Sequence, residues 1–503
     1  MRMIPRQLEF DNAIPEIRGN ADYEAEKDLL LAMDEMISQS GLEELVIASF
    51  LEIAVFEKAA RLFQADEPVV IGLTEKEKVA VQERAVVALR LAILRKHTVL
   101  SLRRFAQTLS HSFLYQWFCQ INRFSTINIP GKSTIDDYEK MISPSLSSEL
   151  DRRLLQLASR PGELLEPSVD LSECYLDTTC VKANVHFPVD WVLFRDAIRT
   201  MMLAVIRIRD LGLKHRMPDP PENCITRING LCIEMTHTRR PKGGRKRRKA
   251  LLRQMKKLLD VVRQHAQRHH DLLAEKWPTT DLSVREAQRI LDQITGVIDQ
   301  LPQVVKNAHE WIIGGRLVAN ADKIHSLYDE HIHVTVRRKA GSAVEFGNTL
   351  FLAEQRDGLI VDWELFRDSA LADTRLLKPS QERIKERLKI DIVLAAGDRG
   401  FDSEANRNYL EKENTFNAIC SRNPHLLQER LKEEQFCEAQ NRRSQTEGRI
   451  SIVGRCFSGN PMQQKSYAYR NLHMGLSILS HNLWKLARLK IAQAQAQLTD
   501  QAA

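Results

Sequence analysis

Cysteine is scarce in this chain, and several other features are missing altogether. The eight cysteines among 503 residues form no CxxC pair and no Cys/His cluster with zinc-finger spacing, which argues against a disulfide framework and against structural zinc. No apolar run approaches the ~18 residues of a membrane span, and the N-terminus lacks the apolar core of a signal peptide. Without a P-loop, no nucleotide cofactor is expected. We therefore expect a cytoplasmic protein with no membrane partner.

Positive charge is concentrated in one segment. The formal net charge is only +7, but residues 235–259 contain eleven Lys and Arg and no acid, so the rest of the chain is slightly acidic. Such a segment is suited to contacting phosphates without reading a nucleic-acid sequence, and the alternative is a solvated helix face. The candidate phosphate-binding residues are Arg239, Arg240, Lys242, Arg245, Lys246, Arg247, Arg248 and Lys249.

The first quarter of the chain has helical periodicity. The stretch Leu102–Leu109 is predicted to be a short amphipathic helix that carries Arg103 and Arg104 side by side. After a Pro/Gly break, Ser133-Thr134 is predicted to cap a second short helix, Ile135–Met141. This arrangement fits a helical module that binds DNA through Arg103 and Arg104, and it fits two helices of an ordinary bundle equally well.

Strands and helices alternate from about residue 173 onward. Strands are predicted at Cys174–Val181, His331–Val336, Val344–Ala353, Leu359–Trp363, Asp391–Ala396 and Phe416–Cys420. Helices are predicted at Trp191–Ile208, over Leu251–Val262, after the capping box of Ser283 and Glu286, and over Leu472–Leu486. The predicted fold is therefore α/β: a mixed sheet, interrupted after its first strand by a helical block and preceded by an all-helical domain.

Three carboxylates stand out by their placement. Asp177 lies within the first predicted strand, and Asp398 follows the buried strand directly, where α/β sheets present ligand-binding groups. Glu447 lies four residues after Arg443 in a helix-compatible stretch, so the two share a helical face. Two aspartates and a glutamate from separate elements suit a pair of Mg²⁺ ions, with Mn²⁺ as the alternative. For each acid alone, a helix cap, a turn or a surface ion pair remains the competing interpretation.

These residues lie in motifs that occur together in one family. The segment Asp177–Asp190, the turn Gly397–Phe401 and the stretch Arg443–Gly448 resemble, in order, the three acidic blocks of bacterial insertion-sequence transposases of the DDE type. Further similar segments are Pro130–Ile135, Ser326–Asp329, Val344–Asn348 and His481–Leu486. Many relatives carry Tyr three residues before the Arg and Lys seven residues after the Glu, whereas this chain has Gln440 and Gly454.

The resemblance implies a ribonuclease-H-like catalytic domain in which Asp177, Asp398 and Glu447 bind two divalent metal ions. It also implies contact of Arg443 with the scissile phosphate, and Arg449 is a further candidate there. The expected activity is cleavage at transposon ends and strand transfer into target DNA. A non-catalytic DNA-binding protein and a metal-dependent nuclease without strand transfer are the alternatives.

The expected partners and domains follow from that activity. Double-stranded DNA is the expected partner, with association with the nucleoid when DNA is bound and a homodimer or larger assembly on paired ends. The predicted domains are a helical, DNA-binding region at 1–165, a catalytic domain at 166–190 and 321–490, a helical insertion at 191–320 and a frayed tail at 491–503.

Overall fold

The computed structural model describes residues 19–64, 72–123, 126–185, 190–238, 243–319, 322–329, 331–339 and 342–502. The protein is α/β and mostly helical (68%), with a mixed open sheet of six strands. None of the described helices is long and apolar enough to cross a membrane. Two compact units are present: a sheet unit (Met1–Lys182, Asn348–Gln464 and Ala468–Ala503) and an insertion unit (Ala183–Gly347 and Lys465–Tyr467).

The described elements are numbered in chain order. The helices are α1 (Ala21–Ser40), α2 (Leu42–Gln64), α3 (Glu75–Thr98), α4 (Leu102–His111), α5 (Phe113–Phe118), α6 (Lys132–Met141), α7 (Pro144–Ala158), α8 (Asp190–Asp210), α9 (Pro221–His237), α10 (Gly244–Lys276), α11 (Val284–Ala308), α12 (Leu377–Leu388), α13 (Glu404–Lys412), α14 (Pro424–Arg430), α15 (Glu434–Val453) and α16 (Tyr467–Ala502). The strands are β1 (Asn122–Arg123), β2 (Thr126–Ile127), β3 (Glu173–Lys182), β4 (His333–Lys339), β5 (Ser342–Glu354), β6 (Ile360–Leu365), β7 (Leu394–Gly397) and β8 (Phe416–Ile419).

The sheet of the sheet unit runs in the order β6-β5-β3-β7-β8. β5 and β6 form the predicted antiparallel hairpin, whereas β7 is parallel to both β3 and β8. Alternate residues of β7 enter different cores: Ala395 packs with the N-terminal helices and α16, while Leu394 and Ala396 pack with Phe436 of α15. The strand is therefore buried on both faces, as predicted, but it begins at Leu394 rather than at Asp391, and Val393 before it is exposed.

The N-terminal helices do not form a core of their own. Buried residues of α1–α7, of one face of the sheet and of α16 belong to a single hydrophobic cluster. The predicted division at residue 165 therefore does not correspond to a boundary between compact units. Over 491–502, where a frayed tail is predicted, α16 continues as a helix to Ala502.

The insertion unit is a helical bundle whose limits are wider than predicted. Helices α8–α11 bury one apolar cluster, and the unit extends over 183–347 rather than 191–320 because β4 pairs antiparallel with the first part of β5. The capping box of Ser283 and Glu286 opens α11 as predicted. Ser133-Thr134 does not cap α6: that helix begins at Lys132, after Gly131, and has no side-chain cap.

Candidate active site

The parallel register of β3 and β7 brings two predicted acids to the same level of the sheet. Tyr175 pairs with Ala396, and two further residues along each strand lead to Asp177 and Asp398. Neighbouring strands lie about 4.8 Å apart, so the two residues are adjacent across the sheet. Both stand toward the carboxyl end of β7, the edge where α/β sheets present ligand-binding groups.

Glu447 reaches the same place from a helix. Residues alternate between the faces of a strand, so Asp177 shares the face of Tyr175, whose ring packs in the cluster that includes Phe436 and Ala439 of α15. Glu447 lies further along α15 and is exposed. Burial raises the pKa of Asp177 to about 6, and the negative charges of Asp398 and Glu447 contribute to that rise. Electrostatically, the three predicted acids form one cluster.

The turn after β7 is built to hold Asp398. Its carboxylate accepts a hydrogen bond from the backbone N–H of Gly400 (2.8 Å) and caps a short 3₁₀ turn, Arg399–Phe401. A Cβ on Gly400 would lie 2.6 Å from Asp373 Oδ2 and 2.8 Å from Asp398 Oδ1, so a side chain there would displace the two carboxylates. Phe401 is buried. The packing of Phe401 and the hydrogen bond of Asp398 therefore explain the sequence Asp398-Arg399-Gly400-Phe401 that follows β7.

Asp373 is a fourth acid at this edge that the sequence did not reveal. Its carboxylate accepts a hydrogen bond from the hydroxyl of Thr178 (3.2 Å), the residue after Asp177. Burial and the charge of Asp398 raise the pKa of Asp373, although Thr178 and Arg422 oppose the rise. Asp373 lies in an irregular connection between β6 and α12, where no local pattern marks it. We call Asp177, Asp373, Asp398 and Glu447 the acid cluster.

Arginines surround the acid cluster. Arg443 lowers the pKa of Asp177 by its positive charge, and its Nε donates a 2.9 Å hydrogen bond to the side-chain oxygen of Gln440. Arg422 donates hydrogen bonds to the carbonyls of Arg399 (2.9 Å) and Gly400 (3.0 Å), which fixes it beside the turn. Arginine pairs readily with phosphate oxygens, so this edge combines carboxylates with groups that bind a phosphodiester.

Gln440 lies at the position where many members of the family that the sequence resembles have tyrosine, and its side chain forms hydrogen bonds to neighbouring elements. Its side-chain amide donates hydrogen bonds to the carbonyls of Gly397 (3.2 Å) and Ala418, the first at the end of β7 and the second in β8. The same side chain orients Arg443. Gln440 therefore ties α15, and with it Glu447, to the strand end that carries Asp398.

Arg449 does not lie at the acid cluster, where it was a candidate phosphate contact. Its Nε donates to the buried carboxylate of Glu354 (3.3 Å), which also forms an ion pair with Arg442 (2.6 Å). A Cβ on Gly358 would collide with the Arg449 guanidinium, so the glycine makes room for it. Arg449 is therefore committed to an internal ion-pair network.

The other predicted DNA-binding residues lie on different surfaces. Arg103 and Arg104 are exposed on α4. Arg239, Arg240 and Lys242 fall outside the described residues. The remaining five, Arg245, Lys246, Arg247, Arg248 and Lys249, lie in the first two turns of α10 in the insertion unit.

The donor chemistry of the acid cluster suits a hard divalent cation. All four side chains offer carboxylate oxygens, the ligands that Mg²⁺ prefers, and Asp373 and Asp398 direct oxygens to the same point above Gly400. As the side chains stand, however, no three His, Cys, Asp or Glu residues in the described ranges are close enough together to hold a metal ion. The acid cluster therefore offers the ligand types of a metal site, but its carboxylates lie farther apart than the ligands of a bound ion.

Comparison with protein-family models, with curated proteins and with solved structures finds no match to this chain.

Proposed function

We propose that this protein is a DDE-type DNA transposase, with a ribonuclease-H-like sheet unit that cleaves transposon ends and transfers the strands into target DNA. The observation that carries the proposal is the register of β3 and β7, which sets Asp177 beside Asp398, together with the effect of Glu447 on the same carboxyl. These are the three acids of the resemblance, and they come from elements separated by up to 270 residues of chain.

The strand order supports the ribonuclease-H-like assignment. Counted along the chain within the sheet unit, the strands are arranged third, second, first, fourth, fifth, and the last two run parallel to the first. This is the order of a ribonuclease-H-like sheet. An acid on the first strand, an acid after the fourth strand and an acid on α15, the second helix after the fifth strand, complete the pattern.

The reaction consists of two in-line displacements at phosphorus. Water attacks a phosphodiester at the transposon end and breaks its P–O3′ bond, which leaves a 5′-phosphate on the flanking strand and a free 3′-hydroxyl on the transposon. That 3′-hydroxyl then attacks a phosphodiester of the target, joins to its 5′-phosphate and releases the 3′-hydroxyl of the target strand. Asp177, Asp398 and Glu447 would hold two Mg²⁺ ions, which would supply activation of the attacking oxygen and stabilisation of the leaving oxygen. Arg443, held by Gln440, balances charge on the phosphate, and the tied strand ends keep the acids in place.

Strand cleavage and joining by Asp398→Asn test the proposal. The substrate is linear DNA with the sequences that flank the gene, incubated with Mg²⁺ and with a target plasmid. We expect wild-type protein to release 3′ ends and to form joined products, and Asp398→Asn to lose at least ~100-fold in rate, because one positioned charge-stabilising group is typically worth that much.

Asp391→Asn is the matched control, since Asp391 is exposed just before β7 and forms only a surface ion pair with Lys385. It should cleave like the wild type. Wild-type rates in Asp398→Asn would contradict the site, and cleaved ends without joined products would identify a nuclease instead.

A further inference from the structure

The positive charges of α10 are concentrated in its N-terminal half, near the end of the helix where positive charge is unfavourable. Between residues 244 and 257 there are eight Lys and Arg and no acid, whereas the cations and acids from 258 to 276 balance. A helix N-terminus bears a partial positive charge and favours acids, so cations in the first turn are destabilising. α10 has no acid in its first turn, and its N-cap is Gly243, without a side-chain cap.

Six of these eight cations fall into two groups, and the other two are Lys246, which is exposed, and Lys256. Arg247 forms an ion pair with Glu234 of α9 (2.6 Å), and Arg248 donates to the hydroxyl of Thr238 (3.4 Å), so these two support the α9–α10 junction. The junction itself is tight, because a Cβ on Gly244 would lie 2.2 Å from the Thr238 carbonyl oxygen.

The second group forms a row that winds around α10, because each four-residue step exceeds one helical turn and rotates the position by about 40°. Arg245, Lys249, Arg253 and Lys257 follow one another at four-residue spacing, Lys249 half-buried and the others exposed, and we call them the basic row. None of the four forms an ion pair with any described residue. Each step advances about 6 Å, so the row is about 18 Å long.

The opposite face of α10 is already occupied. Leu251, Leu252, Met255, Leu258 and Leu259 are buried in the core of the insertion unit. A basic amphipathic helix binds a lipid surface by inserting its apolar face, and α10 has no such face to insert. α10 must therefore bind its partner through its positive charges alone.

One neighbouring segment runs beside the basic row without cancelling its charge. Lys256 Nζ of α10 lies 3.2 Å from His309 Nδ1, and a Cβ on Gly315 would lie 3.0 Å from a guanidinium nitrogen of Arg245. The segment from His309 to Gly315 therefore runs antiparallel along the cationic half of α10. Its one acid, Glu310, forms an ion pair with Arg316, so the segment contributes no net charge to the row. The cations of α10 thus accumulate where the helix least tolerates them, which a polyanion would offset.

We propose that the basic row binds the phosphate backbone of double-stranded DNA and so serves as a second DNA-holding surface of the protein. The inference rests on the proposed transposase function, because DNA is the polyanion that function supplies. One strand of a duplex presents a phosphate about every 3.4 Å of axis, so the row spans about five phosphates. Contacts of this kind position DNA without selecting its sequence.

The test is the salt dependence of DNA binding by the full chain. Binding of a fluorescent duplex of arbitrary sequence is measured in EDTA, so that no cleavage occurs, between about 50 and 200 mM salt. The test variant changes all four row residues to Gln. The control changes Arg263, Arg268, Lys276 and Arg289, which are exposed elsewhere in the same unit, to Gln.

Each phosphate contact contributes about 0.9 to the slope of log K against log salt, so we expect the row variant to have a slope shallower by about 3–4. The control should keep the wild-type slope. Equal slopes in the row variant and the wild type would overturn the inference while leaving the proposed function intact, whereas a wild-type protein that does not bind duplex DNA would overturn the function as well.

Folding of the row variant is checked by thermal melting. The variant should melt no lower than the wild type, because it removes a cation from the first turn of α10. Should it melt lower, Lys249→Gln alone provides the test: we expect a slope shallower by about 0.9, and an unchanged slope overturns the inference.

Discussion

The acid cluster of the sheet unit and the basic row of the insertion unit each place several charges of the same sign close together. The repulsion between these charges can be reduced in a different way in each of the two regions. Asp177 and Asp373 are partly buried and the pKa values of both rise, so protonation is available to them, while Asp398 and Glu447 are exposed. The basic row consists of arginine and lysine, whose positive charges are not released at physiological pH; Lys249 is half-buried and the other three residues are exposed. The acids are therefore expected to respond to pH and to a cation, and the row to salt and to a polyanion.

In a third group of charges, two buried cations share one buried acid. On α3, Arg95 and Lys96 are buried beside Glu139 of α6, which forms ion pairs with both. Lys96 also lies 2.7 Å from His473 Nδ1 of α16. Burial lowers the pKa of Lys96 to about 7, and the charge of Arg95 adds to that effect. Here every charge has a partner within the chain, and the network serves the fold.

Glu139→Gln should have the largest effect on stability, because it removes the acid that Arg95 and Lys96 share. Arg95 would remain buried without this counter-ion, and the pKa of Lys96, already lowered to about 7, would fall further, so we expect the free energy of unfolding to fall by about 3–5 kcal/mol. Chemical denaturation measures the change. Glu382→Gln, which removes a half-exposed partner of Lys378, should cost no more than about 0.5 kcal/mol. A similar decrease in the free energy of unfolding of both variants would show that the buried network stabilises the protein no more than a surface ion pair.

Asp373→Asn tests whether the acid cluster extends to its fourth member. Asparagine keeps an oxygen that can accept from Thr178 but removes the charge beside Asp398, so strand cleavage should fall about 10–100-fold, as for residues that orient metal ligands. DNA binding in EDTA should not change. Asp368→Asn, in the same connection but exposed, is the control and should be fully active. Full activity of Asp373→Asn would limit the cluster to three acids.

A pH profile separates the acid cluster from the basic row. The pKa of Asp177 is raised to about 6, so its carboxyl is protonated below that pH and ionised above it. A bound cation competes with the proton for this carboxyl, so at sub-saturating Mg²⁺ the cleavage rate should rise with pH through about 6, and the rise should move to lower pH as Mg²⁺ is increased. The salt slope of DNA binding should stay constant over the same range, because Arg and Lys remain charged. A cleavage rate that is flat through pH 6 would contradict the role given to Asp177.

Local sequence was sufficient to predict those elements whose structure depends on a single segment of the chain. The apolar run before Asp398 predicts a strand buried on both faces, and the β5–β6 hairpin and the capped start of α11 were also predicted. Asp373 could not be found in this way, because its significance comes from Thr178 and Gly400, which are distant in the chain. Arg449 was misplaced for the same reason: its partner Glu354 lies 95 residues away.

The direct test of the account compares Asp398→Asn with the four-residue row variant in the same two assays, duplex binding in EDTA and strand cleavage at saturating DNA in low salt with Mg²⁺. We predict that Asp398→Asn binds DNA with the wild-type salt slope but does not cleave it, and that the row variant binds with a shallower slope but cleaves at the wild-type rate once saturated. Cleavage by Asp398→Asn at the wild-type rate would contradict the assignment of catalysis to the acid cluster.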